Sequence, residues 1–269
     1  MIEFSLYTVF LLIFIGCSSG LLAGLLGVGG GIIYGPVILF MLKGWNISEN
    51  IIFPIAFGTS LFIIIFTSLS AVIKYLSLKS IMWRAVLIMS IFSIVGAGLG
   101  AYVSVNSPGW ILQRLYGLLL LIVSWRITKE YKADEIIDEL FKLSYLSVSG
   151  FIIGFISSMF GIGGGVVGVP IMIIILRFPI KKVAATSLCI ILFTSIAGVL
   201  GYILSGLKNI NLPNGSFGYV NIKIAAPFIF GAVTCAPIGA YINNKVKTAT
   251  LKRVFALFLA VVSIKFLFF

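Results

Sequence analysis

Two apolar stretches of this chain are each interrupted near the middle by three consecutive glycines. The first reads GLLAGLLGVGGGIIYGPVILF over residues 20–40, and the second reads GFISSMFGIGGGVVGVPIMII over residues 154–174. A proline lies five residues after each triplet, so the two segments match at a constant offset of 134. A membrane helix can be interrupted only where its freed backbone groups face protein or a water-filled cavity. Two matched interruptions therefore indicate a buried site shared by two halves of a membrane protein.

The composition excludes a soluble globular domain. The chain is 61% hydrophobic and 10% charged, whereas a soluble domain carries roughly 25% charged residues. Apolar runs of about 20 residues recur to the C-terminus, which is typical of a polytopic helical membrane protein. The net charge of +12 comes from Lys and Arg at the ends of these runs. This placement indicates the positive-inside bias of membrane proteins and argues against binding to nucleic acid.

The metal-ligating residue types form no site pattern. The chain has no histidine and no CxxC pair, so we predict neither a metal nor a cofactor. The three cysteines, Cys17, Cys189 and Cys235, each lie inside an apolar run. We expect them to be small buried hydrophobic residues.

The two halves of the chain correspond well beyond the glycines. The segment Gly58–Leu61 corresponds to Ala185–Leu188 at an offset of 127, and Gly98–Ala101 corresponds to Pro237–Ala240 at an offset of 139. We predict a first transmembrane repeat at 1–126, an amphipathic cytoplasmic linker at 127–143 and a second transmembrane repeat at 144–269. Each repeat has one glycine-broken run followed by three ordinary spans, with predicted bounds 5–42, 51–73, 84–104 and 110–126, then 145–176, 183–205, 222–242 and 252–268.

The distribution of Lys and Arg predicts how each broken run is threaded. If each run turns back at its glycines, 14 of the 19 basic residues lie on one side and five on the other; a single crossing gives ten and nine. Because cytoplasmic loops carry the basic excess, we predict returning, re-entrant-type hairpins with arms of about 15 residues, or roughly 22 Å of helix each. Each repeat then has an odd number of crossings. The fold class is therefore all-α, with two inverted-topology repeats and both termini outside.

The glycine triplets are the first candidate site residues. Glycine adopts positive φ readily and lets backbone N–H groups face a ligand. Each triplet precedes a helix, whose N-terminus carries roughly +0.5 charge and unpaired amides. Two such ends near the bilayer centre would bind an anion without an ionised side chain, although close helix packing through small residues is the alternative. The predicted substrate-binding glycines are Gly29, Gly30, Gly31, Gly163, Gly164 and Gly165.

Paired hydroxyls and arginines are further candidates. Thr59 and Ser60 match Thr186 and Ser187, and these hydroxyls either donate to an anion or bond to a carbonyl of their own helix. Arg114 and Arg253 also occupy equivalent positions. They either gather anions at the two mouths or extend towards lipid headgroups.

All seven acids lie near the N-terminus or in predicted loops. Without an intramembrane carboxylate or imidazole, neither a proton relay nor a carboxylate-built metal path is expected.

The GVGGG and GIGGG segments, their prolines and the Thr-Ser pairs resemble the sulfite exporter TauE/SafE family of membrane permeases over essentially the full length. The resemblance implies a multi-pass plasma-membrane protein that moves small sulfur-containing anions such as sulfite or organosulfonates. This chain has Gly35 before Pro36 but Val169 before Pro170, so the two hairpins are unequal.

We therefore expect a secondary transporter for small oxyanions, with a small anion and the lipid bilayer as its partners. An anion channel shares the same electrostatics and is the alternative. An intramembrane enzyme such as a lipid phosphatase is disfavoured because no buried base would activate a hydroxyl or thiol nucleophile. The sequence indicates no oligomeric state.

Overall fold

The computed structural model describes residues 5–45, 47–128, 143–207, 209 and 212–243. Almost all of these residues are helical. The elements in chain order are α1 (Leu6–Leu26), α2 (Gly31–Lys43), α3 (Glu49–Ser77), α4 (Trp83–Asn106), α5 (Gly109–Thr128), α6 (Leu143–Phe160), α7 (Gly165–Pro170) with a π-helical turn (Ile171–Ile175), α8 (Ile180–Gly206), β1 (Ser216–Phe217), β2 (Val220–Asn221) and α9 (Ile222–Asn243).

Six of the described helices are long and apolar enough to span a membrane, which confirms the all-α polytopic class. Their bounds are Leu6–Leu26, Ile51–Ser77, Trp83–Asn106, Leu143–Phe160, Lys181–Gly206 and Ile222–Asn243. The predicted span at 252–268 and most of the predicted linker at 127–143 lie outside the described residues. The division into domains stays a prediction.

The arms on either side of each glycine break differ in length. In the first half, α1 has 21 residues and α2 has 13. In the second half, α6 has 18 residues, whereas α7 has six and continues through a five-residue π-helical turn. The expectation of arms of about 15 residues is close for α2 and α6 but wrong for α1, which is longer, and for α7, which is shorter. At 1.5 Å per residue α1 is about 31 Å long, enough to cross a hydrocarbon core of about 30 Å. The return of each run to its starting side stays a prediction.

The helices of the two halves are interleaved. Helix α1 packs against α9, and α6 packs against α4, so the first helix of each half lies against the third long helix of the other. Helices α3 and α8 contact each other between these pairs, and α3 also contacts α9 as α8 contacts α4. The hydrophobic core therefore lies between the halves.

Glycines set how closely these helices approach. A methyl group at Gly20 would lie 2.7 Å from Cα of Ala232 in α9, and one at Gly154 would lie 2.7 Å from Cα of Ser93 in α4. The two contacts are equivalent, because Gly154 follows Gly20 by 134 residues and Ala232 follows Ser93 by 139. Close backbone approach through small residues is the usual way that helices associate in lipid.

A disulfide joins Cys17 of α1 to Cys235 of α9, across 218 residues of sequence. The expectation that these cysteines are unpaired hydrophobic residues is wrong. Single cysteines on separate helices give no spacing signal, so the sequence did not reveal that α1 and α9 are neighbours. Cys189 is free and buried in α8, as expected.

A short hairpin precedes α9. Ser216 pairs with Asn221 and Phe217 with Val220 in an antiparallel register. The side-chain amide nitrogen of Asn221 donates to Ser216 Oγ at 2.9 Å, and its Oδ1 accepts from the Ile224 N–H at 3.0 Å. Asn221 is fully buried and caps α9, the usual role of an asparagine at a helix start.

Candidate functional site

Both glycine breaks adopt the same backbone conformation. Three glycines in each break have positive φ, which residues other than glycine rarely adopt. They are Gly27, Gly29 and Gly30 (φ 74°, 79° and 84°), and Gly161, Gly163 and Gly164 (φ 64°, 85° and 76°). Each position follows its partner by 134 residues. Helices α2 and α7 begin at the next residue after each turn, Gly31 and Gly165.

The two breaks contact each other directly. A methyl group at Gly31 would lie 2.5 Å from the carbonyl oxygen of Ile162, in the other break. A methyl group at Gly165 would overlap Cα of Val28, the residue equivalent to Ile162. The starts of α2 and α7 therefore lie together, in the buried interior.

The amides of these turns have no partner among the described residues. Within the described part of the chain, no acceptor receives a hydrogen bond from the N–H groups of Gly29–Gly31 or Gly163–Gly165. More than about 90% of buried backbone N–H groups in proteins are paired. Six unpaired donors at one place are therefore an unusual feature, and their charge complement is an anion.

The predicted threonines connect the two halves. Thr59 Oγ1 accepts from the backbone N–H of Asn221 at 2.9 Å, and Thr186 Oγ1 accepts from that of Met82 at 3.2 Å. These amides lie at the starts of α9 and α4, where helices have unpaired donors. Neither threonine bonds to a carbonyl of its own helix among the described contacts, so each hydroxyl hydrogen is still available to a ligand.

The predicted serines differ from each other. Ser60 Oγ donates to the carbonyl of Gly161 at 2.7 Å and so fixes the break of the opposite half. Ser187 is equally buried, yet its hydroxyl has no partner among the described residues.

Two tyrosines support the ends of the helices that precede the breaks. Tyr75 Oη donates to the carbonyl of Gly24, and Tyr202 Oη donates to that of Ser158, both at 2.8 Å. The tyrosines are equivalent at an offset of 127 and the carbonyls at 134. Both side chains are fully buried. The occurrence of a tyrosine at the same position in both halves is the sequence signal that could have indicated this supporting role.

The surroundings of the two breaks differ in polarity. Ser19 Oγ donates to the carbonyl of Gly30 at 3.0 Å, and Tyr34 Oη lies 3.3 Å from Thr67 Oγ1. The positions equivalent to Ser19 and Tyr34 are Ile153 and Gly168. The first break therefore has the hydroxyls of Ser19 and Tyr34 nearby, whereas the second has that of Ser157, whose Oγ would lie 3.3 Å from a methyl group at Gly164.

The structure describes one of the two predicted arginines and does not bring it to the glycine breaks. Arg114 is exposed, and its guanidinium lies 5.4 Å from the centre of the Trp110 ring. Arg253 lies outside the described residues. The acid that the structure describes, Glu49, is the first residue of α3. Among the described residues, no group of three His, Cys, Asp or Glu side chains is placed to hold a metal.

Sequence comparison relates this chain to known membrane proteins. The family described as "Sulfite exporter TauE/SafE" matches residues 12–266. A "probable membrane transporter protein" of Methanocaldococcus jannaschii is 31% identical over 94% of this chain and 93% of its own length. Proteins of the same description from Bacillus subtilis and Haemophilus influenzae are 29% and 28% identical, over 96% and 95% of this chain and 97% of each relative. No solved structure matches.

These matches cover both halves and both glycine breaks, and the relatives are named as transporters and not as enzymes. They support a membrane-embedded, multi-pass transporter. The chain belongs to the TauE/SafE family of sulfite exporters.

Proposed function

We propose that this protein is a secondary transporter for small oxyanions, such as sulfite or an organosulfonate, and that it binds them at the two opposed glycine breaks. The observation that carries the proposal is the group of unpaired amides at Gly29–Gly31 and Gly163–Gly165. Desolvated N–H donors bind an anion in a water-poor site, since each hydrogen bond to a charged group contributes about 1.5–3 kcal/mol.

The position of the acid in the described part of the chain supports a preference for anions. Glu49 is the acid in the described part of the chain, and it lies at an end of α3 and not beside the breaks. Among the described residues, the groups that set the field at the breaks are backbone dipoles and hydroxyls. A contact at a helix N-terminus contributes about 0.3–1 kcal/mol when exposed and about 2 kcal/mol when partly buried.

The interleaved packing supports an inverted repeat. Three kinds of contact occur once in each half, at the offsets read from the sequence. They are made by Gly20 and Gly154, by Thr59 and Thr186, and by the two tyrosines. A transporter built this way binds its substrate at the repeat interface and rocks one group of helices against the other. We propose a plasma-membrane location on the basis of the family. We propose that both termini lie outside on the basis of the excess of Lys and Arg in the segments assigned to the cytoplasm.

The charge of the substrate follows from the same electrostatics. A dianion such as sulfate costs more to desolvate than a monovalent anion, because the penalty rises steeply with charge. Two helix starts and a few hydroxyls offset only part of that penalty. We therefore expect bisulfite or a sulfonate to be preferred over dianions.

Flux in proteoliposomes, measured against a panel of anions and over a pH series that titrates the substrate, tests the proposal. Gly30→Leu and Gly164→Leu are expected to abolish flux, because each places a side chain at positive φ beside the amides. Gly98→Leu is the matched control, since Gly98 is exposed and a methyl group there has no neighbour within 4 Å. Near wild-type flux in either glycine variant, or a preference for dianions or cations, would contradict the proposal.

The threonines provide a milder test. The double variant Thr59→Val and Thr186→Val is expected to weaken substrate binding, whereas serine at both positions keeps the hydroxyls and should retain it. Counterflow of labelled substrate separates a carrier from an anion channel, because only a carrier exchanges substrate without net conduction.

A further inference from the structure

Two isoleucines, one from each half, cover the glycine breaks. Ile64 lies on α3 and Ile191 on α8, at the same offset of 127 that relates the Thr-Ser pairs. Both side chains are fully buried. They lie about one helical turn beyond Ser60 and Ser187.

Each isoleucine reaches both breaks. A methyl group at Gly29 would lie 3.2 Å from Ile191 Cγ2 and 3.4 Å from Ile64 Cγ2. One at Gly163 would lie 2.9 Å from Ile64 Cδ1 and 3.5 Å from Ile191 Cγ2. The branched side chains therefore occupy the space directly beside Cα of the glycines that carry the unpaired amides.

This arrangement places apolar groups beside the glycines at which the anion is proposed to bind. A hydrated anion cannot approach the amides past two butyl groups without losing its water, and apolar constrictions of this kind stop ions by excluding water. A cavity lined only by apolar groups stays dry, but one that contains polar donors holds water. Removing the isoleucine side chains would therefore expose unpaired N–H groups in a space that water and anions can enter.

We propose that Ile64 and Ile191 together form the apolar barrier between the two sides of the membrane, and that their withdrawal from the glycine breaks admits the anion. The barrier belongs to the same site as the proposed function and rests on it. Because the two residues come from α3 and α8, movement of these helices past each other opens and closes the barrier.

The test measures passive leak of iodide into proteoliposomes that contain no transported substrate. The double variant Ile64→Ala and Ile191→Ala is expected to raise the leak about tenfold or more over the wild-type protein, which corresponds to a barrier lowered by about 1.4 kcal/mol. The single variants are expected to give smaller increases. Leucine at both positions retains the apolar volume and should keep the leak at the wild-type level.

Ile63 and Ile190 supply a matched control. They are the same residue type, lie one position earlier on the same two helices at the same offset, and are equally buried. The Ile63→Ala and Ile190→Ala variant creates comparable cavities away from the glycines, so it should destabilise the protein without raising the leak. Equal leak in the two double variants would overturn the proposal, because it would show general loosening of the core.

The experiment separates this proposal from the proposed function. If the wild-type protein exchanges none of the anions in the panel while the Ile64→Ala and Ile191→Ala variant leaks iodide, the barrier is supported and the substrate assignment fails. If the wild-type protein exchanges anions and the variant shows no added leak, the barrier proposal fails. Thermal unfolding of each variant verifies that the protein is folded.

Discussion

Alanine at Gly100 and at Gly98 should change stability in opposite directions, although both glycines lie on α4. Gly98 is exposed, and a methyl group there would have no neighbouring atom within 4 Å, whereas one at Gly100 would lie 3.0 Å from the Met159 nitrogen and 3.1 Å from the Phe155 carbonyl carbon. It would also overlap the Phe155 carbonyl oxygen. Neither glycine has positive φ, so backbone strain does not distinguish them.

The expected difference in stability between the two variants follows from the contact between α4 and α6. Both substitutions gain the same helix propensity, about 0.8–1 kcal/mol, and this gain cancels when they are compared. A carbon–oxygen contact relaxes at about 3.3 Å, so Gly100→Ala forces the two backbones apart by about 1 Å. Gaps of that size forfeit a quarter to a half of each dispersion contact along the interface. Overpacking of this kind costs about 1–3 kcal/mol, which corresponds to a Tm difference of roughly 2–12 °C.

Thermal unfolding in detergent, followed with a thiol-reactive dye, provides the assay. Cys189 is the free thiol in the described structure and is buried in α8, so it reacts when the fold opens. Gly98→Ala should unfold at or slightly above the wild-type temperature, and Gly100→Ala should unfold below it. A Tm for Gly100→Ala that equals or exceeds that of Gly98→Ala would refute close backbone contact between α4 and α6.

Three further predictions use the same protein. Reduction of the disulfide between Cys17 and Cys235 should lower the Tm, because closure of a loop of this length contributes at most about 5 kcal/mol to stability. Alkylation of the denatured protein should count one thiol before reduction and three after it. An unchanged count would contradict the disulfide. Asn221→Ala should cost about 1–3 kcal/mol because the buried cap of α9 is lost, and an unchanged Tm would show that the hairpin is dispensable. Probes attached to cysteines placed at Lys181 and Ser216 should react from opposite sides, and reaction from one side would contradict the predicted topology.

The spans and the glycine breaks were accessible from the sequence because each has a local signal. Apolar runs predicted α3 at 51–73 against the observed Glu49–Ser77, and the glycine triplets predicted the turns at both breaks. The predicted span is shorter than the observed helix at both ends because a helix continues past its apolar residues into polar ones. The unequal arms of the breaks were missed because the glycines mark where a helix is interrupted and not how far the adjoining helices extend.

The contacts between halves could not be predicted from local patterns. The Thr59 hydroxyl accepts from Asn221, which is 162 residues away, and Cys17 pairs with Cys235. Neither contact follows from spacing, because each depends on which helices lie side by side. Internal duplication reduces this difficulty: once one contact is known, its counterpart at the matching offset can be predicted, as for Tyr75 and Tyr202.

The pairing of α1 with α9 has a consequence for how the protein is made. A ribosome adds about 5–20 residues per second, so roughly 10–40 s separate the synthesis of Cys17 from that of Cys235, 218 residues later. Throughout that interval α1 is in the membrane without the helix that fills its glycine-lined face. A nascent chain arrested near residue 128 would therefore contain α1 without α9 and α4 without α6, the helices against which they pack. The face of α4 is covered once α6 has followed it, whereas the face of α1 contacts lipid or other proteins until α9 has been made.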